Sequence, residues 1–173
     1  MNRQEFKPLI LIFTEGKYDA VLIKHLQRIY GTSFRIRQGN GSSPELILRD
    51  CLKETGSFDI RYCVLDGDVV PDLSKFKALV KEKNESLDYE LIAIITCPCM
   101  EAIDLALLFE DPSGFEKKRC GELKKLVKEK MGNIDREDYY EQYLSKSIVN
   151  KNYYLFENQE FKNIIDLFRK PKL

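Results

Sequence analysis

"LIFTEGKYDA", residues 11–20, runs from an apolar stretch directly into Glu15, Gly16, Lys17 and Asp19. The apolar run starts earlier, as "PLILIF" at 8–13, and a continuous run of this kind reads as a strand buried on both faces. From Tyr18 the pattern turns helical: Leu22, Leu26 and Ile29 recur at intervals of four and three, and Gly31 follows as a stop. A buried strand that opens through two acids into a helix is the first half of a βαβ unit.

The alternation continues downstream. "FRIRQ" at 34–38 alternates apolar and polar and reads as a second strand. "GNGSSPEL" is a loop leading into a helix, with Ser43 as cap, Pro44 at the first helical position, and Leu48, Cys51 and Leu52 on the buried face. "IRYCVLD" at 60–66 is a third strand, followed by a helix capped by Asp72 with Phe76, Leu79 and Val80 on one stripe. "ELIAIIT" at 90–96 reads as a fourth strand buried on both faces, and "CPCMEAIDLALLFE" restarts as a helix with Pro98 near its first turn. The order β-α-β-α-β-α-β-α predicts an α/β fold with a mainly parallel four-stranded sheet flanked by helices. In such folds ligands gather beyond the carboxyl ends of the strands.

After about Gly114 the character changes. "EKKRCGELKKLVKEKMG", "DREDYYEQYL" and "NQEFKNIIDLFRK" each read as a charged helix. We therefore expect an α/β domain over 1–112 and a helical extension over 113–173, packed on the same domain. The length of 173 residues suits one domain with a real core. An apolar share of 43% and a charged share of 32% match a soluble globular protein, and no window approaches the roughly 18 apolar residues of a membrane span. The N-terminus "MNRQEFKPLI" lacks the apolar core and cleavage site of a signal peptide, so a cytoplasmic location without a membrane partner is the expectation.

Cys51, Cys63, Cys97, Cys99 and Cys120 are odd in number and scattered, a poor disulfide framework. Cys97 and Cys99 flank Pro98, but no second pair stands at zinc-site spacing, and His25 is the only histidine. Because His25 lies inside a helical pattern, it reads as a packed or surface residue and not as a catalytic partner for a thiol. The 28 basic and 28 acidic residues cancel, so a nucleic-acid partner must be held by a local patch.

The acids at the strand ends are the informative feature. Strand one is followed by Glu15 and Asp19, strand three ends in "LDGD" with Asp66 and Asp68, and strand four leads through Thr96 to Glu101. In a parallel sheet all of them reach one edge. Crowded carboxylates raise one another's pKa unless a cation sits among them. Hard oxygen donors of this kind favour Mg²⁺ or Mn²⁺, as one or two ions, over zinc. Gly16 and Gly67 fit a backbone that turns tightly beside an ion or a phosphate, and Lys17 is a candidate to neutralise phosphate charge. Each element also has a structural reading. "DGD" alone is commonly a turn, Asp19 and Glu101 suit helix N-termini by charge, and Asp104 reads as a surface or capping-region acid. Their joint placement at consecutive strand ends is what points to a metal site.

These residues resemble the Toprim domain of topoisomerases, primases and several nucleases. Its marks are a glutamate after the first strand and a D-x-D after the third, here Glu15 in "LIFTEGKYDA" and Asp66 and Asp68 in "YCVLDGD". "TEGKYDAVLIKHL" is similar to the "EGKxD" opening of small Toprim nucleases, among them ribonuclease M5 and the OLD family. The longer run looks most like the RloB-like family associated with phage defence, whose "S-x-P-x-F-E" segment stands here as "TCPCME", with Thr96 for the serine and Met100 for the aromatic residue. The resemblance covers residues 8–108 and hardly touches the tail. It implies that Glu15, Asp66 and Asp68 hold a first metal, with Asp19, Thr96 and Glu101 as candidates for a second. It also implies a nuclease in a phage-defence setting, with a protein partner from such a system as a candidate.

From Lys117 to Lys130 there are seven basic residues and two acids, and the C-terminus adds Lys162, Arg169, Lys170 and Lys172. Such stretches can hold phosphate backbone without reading sequence, and Tyr139, Tyr140, Tyr143, Tyr153 and Tyr154 can stack on unpaired bases. Equally, a lysine-rich amphipathic helix is commonly a solvated face, and the tyrosines can fill a helical core. A tail of this kind is also a candidate for self-association. Three functions follow. The first is a metal-dependent phosphodiesterase acting on DNA or RNA. The second is a non-catalytic nucleic-acid-binding module or partner subunit that retains the metal site. The third is primase-like nucleotidyl transfer, which would need a nucleotide-binding domain that the sequence does not show.

Overall fold

The computed structural model describes residues 8–41, 43–115, 118–156 and 159–170. In it β1 (Ile10–Thr14) sends Ile10 and Ile12 into one apolar cluster and Leu11 and Phe13 into another, the alternation of a strand sandwiched between two helical layers. β1 pairs in parallel with β2 (Arg35–Gln38) on one side and β3 (Ile60–Asp66) on the other, and β3 pairs with β4 (Glu90–Thr96), in the order β2-β1-β3-β4. β1 and β3 are buried along their whole length, as central strands must be.

The direction of travel explains the layers. From β1 the chain moves outward through α1 (Lys17–Tyr30) to β2, then returns past β1 through α2 (Pro44–Lys53) to β3 and on through α3 (Leu73–Asn84) to β4. With right-handed crossovers, that reversal puts α1 on one face and α2 and α3 on the other. The contacts agree. Leu22 and Leu26 of α1 join Ile10 and Ile12, while Ile47 and Cys51 of α2 and Phe76 and Val80 of α3 join Leu11 and Phe13. The reversal also opens a crevice beyond the ends of β1 and β3, the position at which sheets of this type bind ligands.

Local signals behave as the sequence suggests at several points. The Ser43 side chain accepts from the Leu46 N–H with Pro44 behind it, and the Asp72 side chain accepts from the Lys75 N–H. Gly31 closes α1 at φ 68°, the left-handed region that glycine enters without steric cost. β4 differs from the expectation of burial on both faces. It is the edge strand, and Ile92 and Ala93 are only half-buried because, among the described residues, no fifth strand pairs with it.

α4 (Met100–Phe109) is buried on every side from Met100 to Leu107, since it lies between the sheet and the tail. The tail contains α5 (Cys120–Met131), α6 (Arg136–Tyr143), α7 (Lys146–Asn152) and α8 (Gln159–Arg169). α7 is one helix more than the sequence pattern suggested; seven residues with Ser145 as cap leave too short a period to read. Leu123, Val127, Tyr140, Val149, Ile164 and Phe168 enter the same apolar cluster as α1 and α4, so the extension shares the core of the α/β part. All five cysteines are free thiols. Among the described residues no helix is long and apolar enough to cross a membrane. Ser42, Lys117 and Lys172, which belong to the loop and basic stretches singled out above, lie outside the described residues.

Candidate metal centre

Parallel register brings the acids to one edge. Glu15 extends the β1–β3 ladder by one residue, its N–H donating to the Val64 carbonyl at 3.0 Å. Its carboxylate Oε2 in turn accepts from the Asp66 N–H at 3.1 Å. The β3–β4 register sets Asp66 opposite Thr96, whose hydroxyl lies 2.8 Å from Asp66 Oδ1 and 3.1 Å from the Leu65 carbonyl. The Met100 N–H donates to the same Asp66 Oδ1 at 2.9 Å. Cys99, at the cap position of α4, makes no side-chain cap bond, so a carboxylate from another strand caps that helix.

Asp19 and Glu101 complete the cluster. Asp19 Oδ2 accepts from the Gly16 N–H at 3.0 Å, closing the first turn of α1 while the residue stays buried. Glu101 is 3% exposed; its Oε1 accepts from Arg136 Nη2 at 2.8 Å, and its Oε2 is buried without a hydrogen-bond partner. Carboxylate oxygens of Asp66 and Glu101 and the Cys99 sulfur lie within 4.8 Å of one another.

The electrostatics follow from burial. Desolvation, with the Asp66 charge next in importance, pushes the Asp19 carboxyl up to about 8. Desolvation raises Asp66 to about 7 against the opposing hydrogen bond from Thr96. Glu15 is raised too, again by burial, with the Asp66 N–H opposing and Asp68 assisting. Burial alone would lower the Lys124 ammonium, yet Glu101, Asp66 and Asp68 raise it overall. Burial pushes the Cys99 thiol far above its ordinary range and Cys120, for the same reason, up to about 12. Cys120 also donates to the Pro98 carbonyl at 3.3 Å. The donor atoms gathered here are carboxylate and hydroxyl oxygens and the Cys99 sulfur, and Glu101 Oε2 is buried without a hydrogen-bond partner. The oxygens of such a set suit a hard divalent cation, while a thiolate suits a softer one.

Individual residues depart from expectation in instructive ways. Asp68 is exposed in the single turn of 3₁₀ helix at Gly67–Val69, beside Cys120. Gly67 is required by close approach: a Cβ there would lie 2.6 Å from Cys97 Sγ and 3.0 Å from the Thr96 carbonyl oxygen. Gly16, in contrast, is extended at φ −139° with only ordinary contacts, so no tight turn depends on it. Lys17 is exposed and lines a separate groove with Lys24, His25 and Arg28. The charges that fall on the acids come from Lys124 and Arg136. His25 is packed, its ring bonded to the Leu144 carbonyl and to Arg28.

Asp104 corrects the reading of it as a surface or capping acid. It is fully buried, accepts from the Tyr140 hydroxyl at 2.6 Å and pairs with Arg136 at 3.3 Å. Burial lifts it to about 6, with Arg136 the main opposing influence. Arg136 thus bridges Glu101 and Asp104, one helical turn apart on α4. Nothing in the sequence marks it, because α6 has almost no apolar periodicity and the partners are more than 30 positions away. Tyr140 belongs to the core, whereas Tyr143 and Tyr154 are exposed.

Beside this cluster lies a groove of about 640 Å³ lined by Tyr18, Glu101, Lys124, Lys128, Ile134 and Arg136, among others. No family model, curated protein or solved structure matches the chain.

Proposed function

We propose that this protein is a Mg²⁺- or Mn²⁺-dependent phosphodiesterase of Toprim type that cleaves DNA or RNA. The observation that carries the reading is Glu101 Oε2, buried without a partner and grouped with Asp66 at the crevice between β1 and β3. A carboxylate oxygen left this way is costly unless a cation accompanies it. Glu15, Asp66 and Asp68 are the residues to hold a first ion, and Asp19, Thr96 and Glu101 a second. When bound, such an ion supplies Lewis acidity toward water and toward a phosphodiester oxygen.

The chain's own groups hold the ligands in place. Thr96 and the Met100 N–H aim Asp66, the Asp66 N–H aims Glu15, and the Gly16 N–H aims Asp19. Lys124 stands where it can offset charge on an incoming phosphate. The resemblance adds a phage-defence setting and a partner protein from such a system, and the tail helices add self-association.

One observation favours a second reading, a binding module that keeps the site without turnover. Arg136 already sits on Glu101 Oε1 and Asp104, a built-in cation that competes with a second ion. Incubation with supercoiled plasmid, single-stranded circular DNA and structured RNA separates the two. Cleavage that needs Mg²⁺ or Mn²⁺, stops with chelator and is lost in an Asp66→Ala, Asp68→Ala variant is the expected result. Intact substrates under all conditions, together with retained binding, overturn the hydrolytic reading in favour of the module.

A further inference from the structure

The groove beside the acids has a composition of its own. Its long wall is α5, which presents Lys124 and Lys128 on one side and Val127 and Met131 below them, at the spacing of successive helical turns. The opposite wall is the α5–α6 connection with Ile134, 41% exposed, and the first residue of α6, Arg136. Glu101, itself buried, also lines the groove. Tyr18 stands at the mouth, 60% exposed although aromatic, with the Arg136 guanidinium 4.7 Å from its ring centroid. An exposed ring held by a cation on α6 is pre-set for stacking.

We propose that this groove receives the unpaired strand of a polynucleotide, a base against Tyr18 and the adjoining phosphates on Lys124 and Lys128. Three features select that ligand. The volume of about 640 Å³ suits a nucleotide-sized group. Aromatic and aliphatic surface beside lysines is the composition that holds single strands without reading sequence. Glu101 is itself one of the lining residues, so a strand lying in the groove comes close to the acids. A second, separate groove of about 250 Å³ is lined by Lys17, Lys24, Arg28 and Glu137, among others. The unpaired strand deepens the phosphodiesterase reading and rests on it for the direction of the strand; the binding itself stands alone.

The test is fluorescence anisotropy of the full chain with a labelled 12-nucleotide oligothymidylate, an oligouridylate and a blunt DNA duplex of equal length, all in EDTA. Single strands are expected to bind at least tenfold more tightly than the duplex, and comparison of the two single strands separates DNA from RNA. Tyr18→Ala should weaken single-strand binding about tenfold, while Tyr18→Phe, which keeps the ring, should restore it. Lys124→Ala with Lys128→Ala should lower the slope of log K against log salt by about 1.4. The variants alter exposed or groove-lining groups, and circular dichroism melts check that each one folds. Equal affinity for duplex and single strand, or Tyr18→Ala binding as tightly as the parent, overturns the proposal. Oligonucleotide binding without cleavage in metal leaves it standing and removes the hydrolase. Cleavage unaffected by the Tyr18 and lysine variants removes the groove and leaves the hydrolase standing.

Discussion

The backbone N–H of Asp66 donates to the side chain of Glu15 at 3.1 Å, so the acid that follows β1 is tied to the end of β3 before any ligand enters. The bond joins two residues 51 positions apart and holds the Glu15 carboxylate over the crevice at the sheet's reversal point. Glu15→Gln keeps an acceptor for that bond and removes the charge. We expect manganese affinity, measured by calorimetry or by electron paramagnetic resonance, to fall at least tenfold while the urea midpoint of the metal-free protein stays level or rises. Unchanged manganese binding would remove Glu15 from the ligand set.

Stability without metal should depend on pH in a definite direction. Asp19 and Asp66 are raised to about 8 and about 7 in the folded protein, from an ordinary value of 3.8. Between those limits the folded state binds more protons than the unfolded chain, so stability declines as pH rises from about 4 through 8. The melting temperature in EDTA should be higher at pH 6 than at pH 8.5, and Asp19→Asn with Asp66→Asn should flatten the difference. Cation binding needs the same protons released, so manganese affinity should climb over that interval. A melting temperature in EDTA that rises from pH 6 to 8.5 would contradict the burial of these groups.

Arg136 links Glu101 and Asp104, both buried, and Tyr140 completes the set. Removing one member of a buried pair leaves the other charge unmatched, at about 3–5 kcal/mol. Arg136→Ala should lose stability of that order in urea melts. Adding Glu101→Gln and Asp104→Asn should recover most of it, because the charges that needed the arginine are then gone. A loss no smaller in the triple variant would mean that packing, and not charge, is what Arg136 supplies.

The two glycines at the site should behave oppositely. Gly67→Ala drives a methyl group toward Cys97 Sγ and the Thr96 carbonyl, an overpacking that costs about 1–3 kcal/mol. Gly16→Ala meets nothing nearer than Asp19 Oδ2 at 3.7 Å and should melt within about 0.5 kcal/mol of the parent. Cys97→Ala should partly rescue Gly67→Ala by removing the sulfur and leaving the carbonyl contact. Equal effects at the two positions in urea melts would show that the close approach at Gly67 is not what requires glycine there.

Apolar runs, helical periodicity and cap residues are local patterns, and they were sufficient for the α/β alternation, the parallel sheet and the gathering of Glu15, Asp19, Asp66, Thr96 and Glu101 at one edge. That follows because strand direction alone decides which end of a parallel sheet a residue reaches. What local pattern could not decide was every relation made across the core. β4 became an edge strand through strand order, Asp104 was buried by tail helices that arrive later in the chain, and Arg136 came to face Glu101 from a helix with no amphipathic signal. Desolvation and long-range pairing depend on which surfaces meet in space, and only the packed chain determines that.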